Sequence, residues 1–368
     1  MRAPLSGEAS GPARDRREIN RRPAVFFLSM PSDRPSADRA LFPAVMFSAL
    51  ALAATALTVP AHAQRGTAPA PTASAPAAPA IPTGRQGRGG YPLPTLPAVF
   101  DTFQHKVRVT AVVRGLDRPW SLLILPNGDM LVSLRYSNQL RAIRNGTLDP
   151  APVAGLPAMR RLLDIVAHPK FSENRTVYFS YSKPGDGLTP MALGRARYDG
   201  ATLSNVQEIY ASDPTTQGGS RMAFAPDGTI YMTISGAGGR MANGGPDPRK
   251  LSTVYGKVLR LRDDGTVPPD NPFVGRAEAR PEIYSLGHRD HFGLAPHPVT
   301  GQMFHVELGP YGGDRVNILK AGGDYGWPDF SYGRNNDSSP IPHPNRDGIE
   351  PALLTWNPGI TPSGLLFY

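Results

Sequence analysis

A strand, a turn and a second strand recur four times in this 368-residue chain, and that recurrence narrows its choice of fold more than any other feature. "LPNGDMLVS" (125–133), "APDGTIYMT" (225–233) and "HPVTGQMFHV" (297–306) each set a Pro-led turn before an alternating run. "HPKFSENRTVYFSYS" (168–182) is a longer form of the same unit. Each unit is followed by another strand that ends in a glycine turn: "QLRAIRNG", "LGRARYDG", "KVLRLRDDG" and "RVNILKAGG". Taking Gly146, Gly200, Gly265 and Gly322 as markers, the intervals are 54, 65 and 57 residues. Such a period predicts an array of antiparallel sheets. No stretch of the globular part keeps a helical period over three turns. The expected fold is all-β, a propeller with four-stranded blades, because radial packing buries both faces of each blade and leaves only short edges. A parallel β-helix repeats at a shorter interval, and a sandwich does not repeat its turns so regularly. "EPALLTWNPGITPSGLLFY" (350–368) reads as the start of a fifth unit, so about four to five blades are expected.

The first quarter of the chain has a different texture. Residues 41–60, LFPAVMFSALALAATALTVP, carry no charge, follow Arg34 and Arg39, and run into Ala61-His62-Ala63. A basic flank, an apolar run and A-x-A form the pattern of a secretory signal cleaved after Ala63. The rival is an N-terminal membrane anchor, which Pro43 and the Leu-poor run disfavour. Met30 and Met46 are alternative starts. Residues 64–97, rich in Ala, Pro and Gly, read as a disordered linker, and 98–368 as the propeller domain. An exported protein located in the periplasm or secreted is expected, with no stable membrane span after cleavage. Of the formal charge of +9, three units belong to residues 1–63, and the remaining excess is spread without a run of like charge. Nucleic-acid binding needs a clustered patch, so it is not expected. The absence of cysteine removes disulfides, thiolate metal sites and Cys nucleophiles.

Six segments carry a family resemblance: "GLDRPWSLLILPNGDMLVS", "LLDIVAHPKFSENRTVYFSYS", "GKVLRLRDDGTVPPDNPF", "RPEIYSLGHRDHFGLAPHP", "ELGPYGGDRVNIL" and "GGDYGWPDFSYG". Together, and in order over about residues 105–368, they resemble the soluble pyrroloquinoline-quinone (PQQ)-dependent sugar dehydrogenases, the glucose/sorbosone and aldose dehydrogenase family. The resemblance implies a six-bladed propeller, usually periplasmic, with PQQ over the central channel and Ca²⁺ beside it. Family members continue for about two further blades beyond "PSGLLFY", so a C-terminally truncated ring is expected.

Oxidising a sugar C1 hydroxyl calls for a base for the proton, a cation over the developing oxyanion and an electrophilic acceptor for the hydride. Arg289 matches the family's quinone-contacting arginine, and its planar fork suits carboxylate and quinone oxygens. Read alone, it could instead pair with Asp290 or Glu307 across blades. Asp290 stands beside it where the family usually has Asn. Gly309 and Pro310 match the Gly-Pro whose carbonyls ligate Ca²⁺, hard oxygen donors for a hard ion; in isolation they are a plain turn. Asp314 is either an outer-sphere carboxylate or a strand cap. Gln217 falls where the family has its His base, and an amide cannot accept that proton. Met159 falls at a cofactor-side Gln, and Met241 near a second one. His291, replacing a family Pro, and His288 flank Arg289 as substitute bases, with Asp213 as a carboxylate alternative. His168 and His297 recur at matching turns and read as structural.

The expected activity is therefore oxidation of an aldose or related sugar at C1, with hydride transfer to PQQ. The expected partners are a small sugar and an electron acceptor in the envelope, with a homodimer as an option. Two other readings stand beside it: a non-catalytic propeller binding a carbohydrate or an envelope protein, and a calcium-dependent lactonase-like hydrolase.

Overall fold

Each of the four sequence units becomes one four-stranded antiparallel sheet with its strands in simple order, a propeller blade. The computed structural model describes residues 96–216, 219–236 and 246–367. Blade one is β3 (Pro119–Ile124), β4 (Met130–Leu134), β5 (Gln139–Arg144) and β6 (Thr147–Leu148); these labels follow the hairpin β1 (Ala98–Asp101) and β2 (Lys106–Val109). Blade two is β7 (Arg161–Ala167), β8 (Thr176–Ser182), β9 (Thr189–Tyr198) and β10 (Leu203–Thr216), with one helical turn, α1 (Phe171–Asn174), between β7 and β8. Blade three is β11 (Met222–Phe224), β12 (Ile230–Ile234), β13 (Lys257–Leu261) and β14 (Ile283–Ser285). Blade four is β15 (Asp290–Pro296), β16 (Met303–Leu308), β17 (Asp314–Ile318) and β18 (Leu354–Trp356). The hairpin is a two-stranded sheet in a unit separate from the blades, the division falling between Thr110 and Ala111. The signal and nearly all of the linker, as well as Gln217 and Met241, lie outside the described residues.

The four marker glycines work as the pattern requires. Gly146, Gly200, Gly265 and Gly322 all have positive φ, between 74° and 113°, where a side chain is strained. Burial explains why the alternation blurs in the middle strands. In β8, "TVYFSYS", six of seven residues are buried because both faces meet neighbouring blades. Gly194 sits under the Phe179 ring of the paired strand, where a Cβ would come within 2.4 Å of the ring.

Three apolar cores fill the gaps between blades. Leu131, Leu140, Leu162, Phe179 and Ala192 join blades one and two. Leu163, Tyr178, Met191, Met232 and Leu259 join two and three. Tyr231, Val258, Leu294, Met303 and Tyr325 join three and four. The register of blade four corrects the expected fifth unit. Leu354–Trp356 pairs with β17, Asp314 opposite Trp356 and Val316 opposite Leu354, so it closes the fourth blade. Residues 357–367 form no strand.

Candidate active site

Antiparallel pairing brings the start of each blade's first strand to the end of its second. The registers Pro119 opposite Leu134, Arg161 opposite Ser182, and Asp290 opposite Leu308 place those ends on one rim. Residues just outside the strands share it. Arg135 follows β4, Arg221 precedes β11, Arg289 precedes β15 and Gly309 follows β16.

Blade four supplies the corner that the sequence singled out. Arg289 Nη1 donates to the carbonyl of Gly309 at 2.9 Å and to that of Leu308 at 3.2 Å. Its guanidinium carbon lies 5.4 Å from the centre of the Trp327 ring, and its backbone N–H donates to Glu307 Oε2 at 2.9 Å. The corner is tight: a Cβ on Gly309 would fall 1.9 Å from the Gly312 carbonyl oxygen. Asp314 braces it, Oδ1 accepting from Gly309 N at 3.0 Å and Oδ2 from Thr361 N at 2.7 Å. Arg289 Nε and Arg315 Nη1 are buried donors without an acceptor among the described residues. Both side chains line one small cavity with Gly309 and Trp327.

Three more arginines meet across the rim. Trp120 lies between two of them, Arg135 at 4.2 Å and Arg221 at 4.9 Å from its ring centre. Arg135 and Arg161 each lie 5.6 Å from the Tyr136 ring centre. Arg221 is fully engaged, Nε donating to Phe292 O at 3.0 Å and Nη1 to Trp120 O at 2.9 Å, with Asp164 at 3.6 Å. Asp290 is the carboxylate that faces Arg289 and Arg135. Burial raises its pKa while those two cations pull it down, and Ser235 Oγ donates to Oδ1 at 2.9 Å. Oδ2 has no hydrogen-bond donor among the described residues.

His291 lies between blades four and three, fully buried with His288 and His305. Ile234 O can only accept, so His291 Nε2, 3.0 Å away, carries its proton. His291 Nδ1 then accepts from His305 Nε2 at 2.7 Å, and His305 Nδ1 accepts from Asn317 Nδ2 at 3.3 Å. Neither nitrogen of His291 is left for a substrate. The three rings hold the described residues' one group of metal-ligand type, with nitrogens within 4.8 Å of one another. However, two ligands of one zinc ion sit about 3.3 Å apart, and the 2.7 Å pair is closed by a proton. His288 Nε2 meets Ser285 Oγ at 2.9 Å; its Nδ1 is 3.6 Å from Glu307 Oε1, too long for a hydrogen bond.

This neutral triad makes stability depend on pH. Burial pushes His291 down to about 3 and also lowers His288 and His305. Below the unfolded value of about 6.5 the unfolded chain takes up protons that the folded chain refuses, so stability falls from there toward pH 3. His291 alone accounts for about 2 kcal/mol by pH 5. Thermal melts between pH 7 and 5 are expected to show a steadily falling Tm, and a flat profile would contradict the neutral triad.

The other candidates fall in framework positions. Met159 packs against the core between blades one and two, and its carbonyl accepts from Asn138 Nδ2 at 3.0 Å. Asp213 pairs with Arg280 at 2.5 Å. His168 and His297 each accept turn N–H groups at Nδ1, as their recurrence suggested. Arg135, Arg161 and Trp120 were not expected at the site. Their signal was available in "SLRYS" and "MRRLL", where an arginine sits at a strand end much as in "GHRDH".

The family model described as Glucose / Sorbosone dehydrogenase matches residues 116–368. The aldose sugar dehydrogenase YliI of Escherichia coli (strain K12) is 32% identical over 278 residues, covering 71% of this chain and 73% of that protein. Quinoprotein glucose dehydrogenase B of Acinetobacter calcoaceticus is 29% identical over 269 residues, covering 65% of this chain and 55% of that protein. The PQQ-bound aldose sugar dehydrogenase of Streptomyces coelicolor superposes with a TM-score of 0.56 at 27% identity, over 69% of this chain and 72% of that one.

Proposed function

Because the chain belongs to the glucose/sorbosone dehydrogenase family, we propose that it oxidises an aldose or related sugar at the C1 hydroxyl, with PQQ as the acceptor. The observation that carries this is the rim itself: Arg289 anchored on the Gly309 carbonyl beside Trp327, with Asp290 next to it and Arg135 beyond. A flat tricarboxylate quinone fits these residues. Buried guanidinium donors without acceptors suit its oxygens, and the aromatic faces suit its ring system. When bound, PQQ supplies the two-electron acceptor for the C1 hydride. Arg289 would orient the reacting oxygens and stabilise negative charge as it develops. Asp290 would take the hydroxyl proton at Oδ2, its raised pKa bringing it closer to the working range of a base. Carbon–oxygen double-bond formation at C1 then yields the lactone.

Calcium is a different matter. The Gly309 carbonyl that would ligate it already accepts from a guanidinium, and both Asp314 oxygens accept from backbone N–H groups. A dication about 4.5 Å from that guanidinium would be repelled by about 7 kcal/mol at an effective dielectric of about 20. The Arg289 guanidinium therefore opposes a dication at this carbonyl, and no step above passes through calcium.

Among the described residues no helix is long and apolar enough to cross a membrane. Export by the signal at 41–63, with an acceptor in the envelope, completes the proposal. The test is reconstitution of the purified chain with PQQ, with and without calcium, followed by dye reduction with glucose and other aldoses. Sugar-dependent reduction with bound-quinone absorbance is expected. Absence of both would overturn the proposal and leave a propeller that binds a carbohydrate or an envelope protein.

A further inference from the structure

The position of Arg135 assigns it a job separate from that of Arg289. Its guanidinium lies over Trp120 at 4.2 Å and near Tyr136 at 5.6 Å. Burial lowers its pKa, and Arg161 and Arg221 lower it further, while Tyr136 and Asp290 pull it up. Its Nε is buried with no acceptor among the described residues, and no carboxylate there comes within ion-pair distance. Nearby cations are better provided for. Arg221 has Asp164 and three carbonyls, and Arg315 has Glu307. Asp290 answers to both Arg135 and Arg289, but Glu307 and Asp314 also act on Arg289, so Arg135 is the less compensated of the two.

A half-buried, unpaired cation is costly unless something offsets it. The indole face partly does, through cation–π attraction. The contact leaves Nε without an acceptor among the described residues, and the fork of a guanidinium matches a carboxylate.

We propose that Arg135, set on Trp120, is a carboxylate-recognition residue: it receives a carboxylate of the ligand that Arg289 and Asp290 act on. This deepens the dehydrogenase reading and rests on it for the choice of sources. The same carboxylate chemistry can come from the quinone cofactor or from an acidic sugar, the latter making uronic-type sugars the substrate class.

The test titrates the full chain separately with PQQ, glucuronate and glucose, following tryptophan emission and heat of binding, neither of which needs turnover. Two variants accompany it: Arg135→Met, which keeps an apolar stem on Trp120, and Arg135→Lys, which keeps a point charge. Both should melt near the native temperature, since Arg135 makes no hydrogen bond that folding depends on. Carboxylate binding is expected to weaken about 10-fold or more in Arg135→Met and to be partly restored in Arg135→Lys. Glucose binding should be unchanged. An effect on PQQ alone identifies the cofactor as the source, and an effect on glucuronate identifies the sugar. If PQQ fails to bind but glucuronate binds through Arg135, the quinone reading falls while the carboxylate site stands. Equal carboxylate affinities in native chain and Arg135→Met, or no carboxylate binding to the native chain, would overturn the proposal.

Discussion

Glu307→Ala is expected to lower the Tm by roughly 10 °C. Glu307, 1% exposed, is the counter-charge of Arg315, itself 4% exposed. Its Oε1 accepts from Arg315 Nε at 2.5 Å and from Asn317 Nδ2 at 3.0 Å, and its Oε2 accepts from Arg289 N at 2.9 Å. Arg315 beside it holds this carboxyl well below the usual range despite burial. Removing one partner of a buried pair costs about 3–5 kcal/mol because the other is stranded. In a domain of this size each kcal/mol is worth roughly 2–4 °C. The double change Glu307→Leu with Arg315→Met strands neither charge and should lose less than Glu307→Ala alone. Differential scanning calorimetry of the three proteins decides it. A Glu307→Ala melt within about 2 °C of native would mean that solvent reaches this pair and that blade four is looser than described.

Arg289→Met is expected to lower the melt by a few degrees, less than Glu307→Ala, and to reduce quinone-dependent kcat/KM by about 100-fold or more. Methionine keeps apolar contact near Trp327 but removes the donors to Leu308 O and Gly309 O and the positive charge of the corner. A charged donor aimed at developing negative charge is worth roughly 3–4 kcal/mol in comparable sites, hence the size of the loss. Arg289→Lys should recover only part of it, since an ammonium cannot reproduce the fork. Steady-state kinetics with a dye acceptor, paired with quinone affinity, separates binding from turnover. A change of less than about threefold in both would remove Arg289 from the chemistry.

How far the sequence alone reaches depends on the kind of signal. The blades were legible because a positive-φ glycine and an alternating run are local features, as at Gly146 and Gly265. The fourth blade's outer strand was misassigned for a related reason. Leu354–Trp356 is short and follows a long, turn-rich stretch after Ile318, so it read as a new unit rather than as the partner of β17. Arg289 and Gly309 were legible through a family motif, and pairing of β15 with β16 explains why they meet. Arg135 and Arg161 were not, because an arginine at a strand end resembles a surface residue until strand order places the ends together. His291 looked available beside Arg289. Being fully buried in β15, it points into the seam between blades three and four, where His305 of blade four and Ile234 of blade three take both nitrogens.

The proposed function depends on arginines at the first-strand starts and second-strand ends of the blades forming one ligand-binding rim. A crystal structure of the chain grown with PQQ tests it most directly. Quinone density is expected on that rim, with Arg289 and Arg135 each within hydrogen-bond distance of a ligand oxygen. Density on the opposite face of the blades, or a bound quinone touching neither arginine, would contradict it.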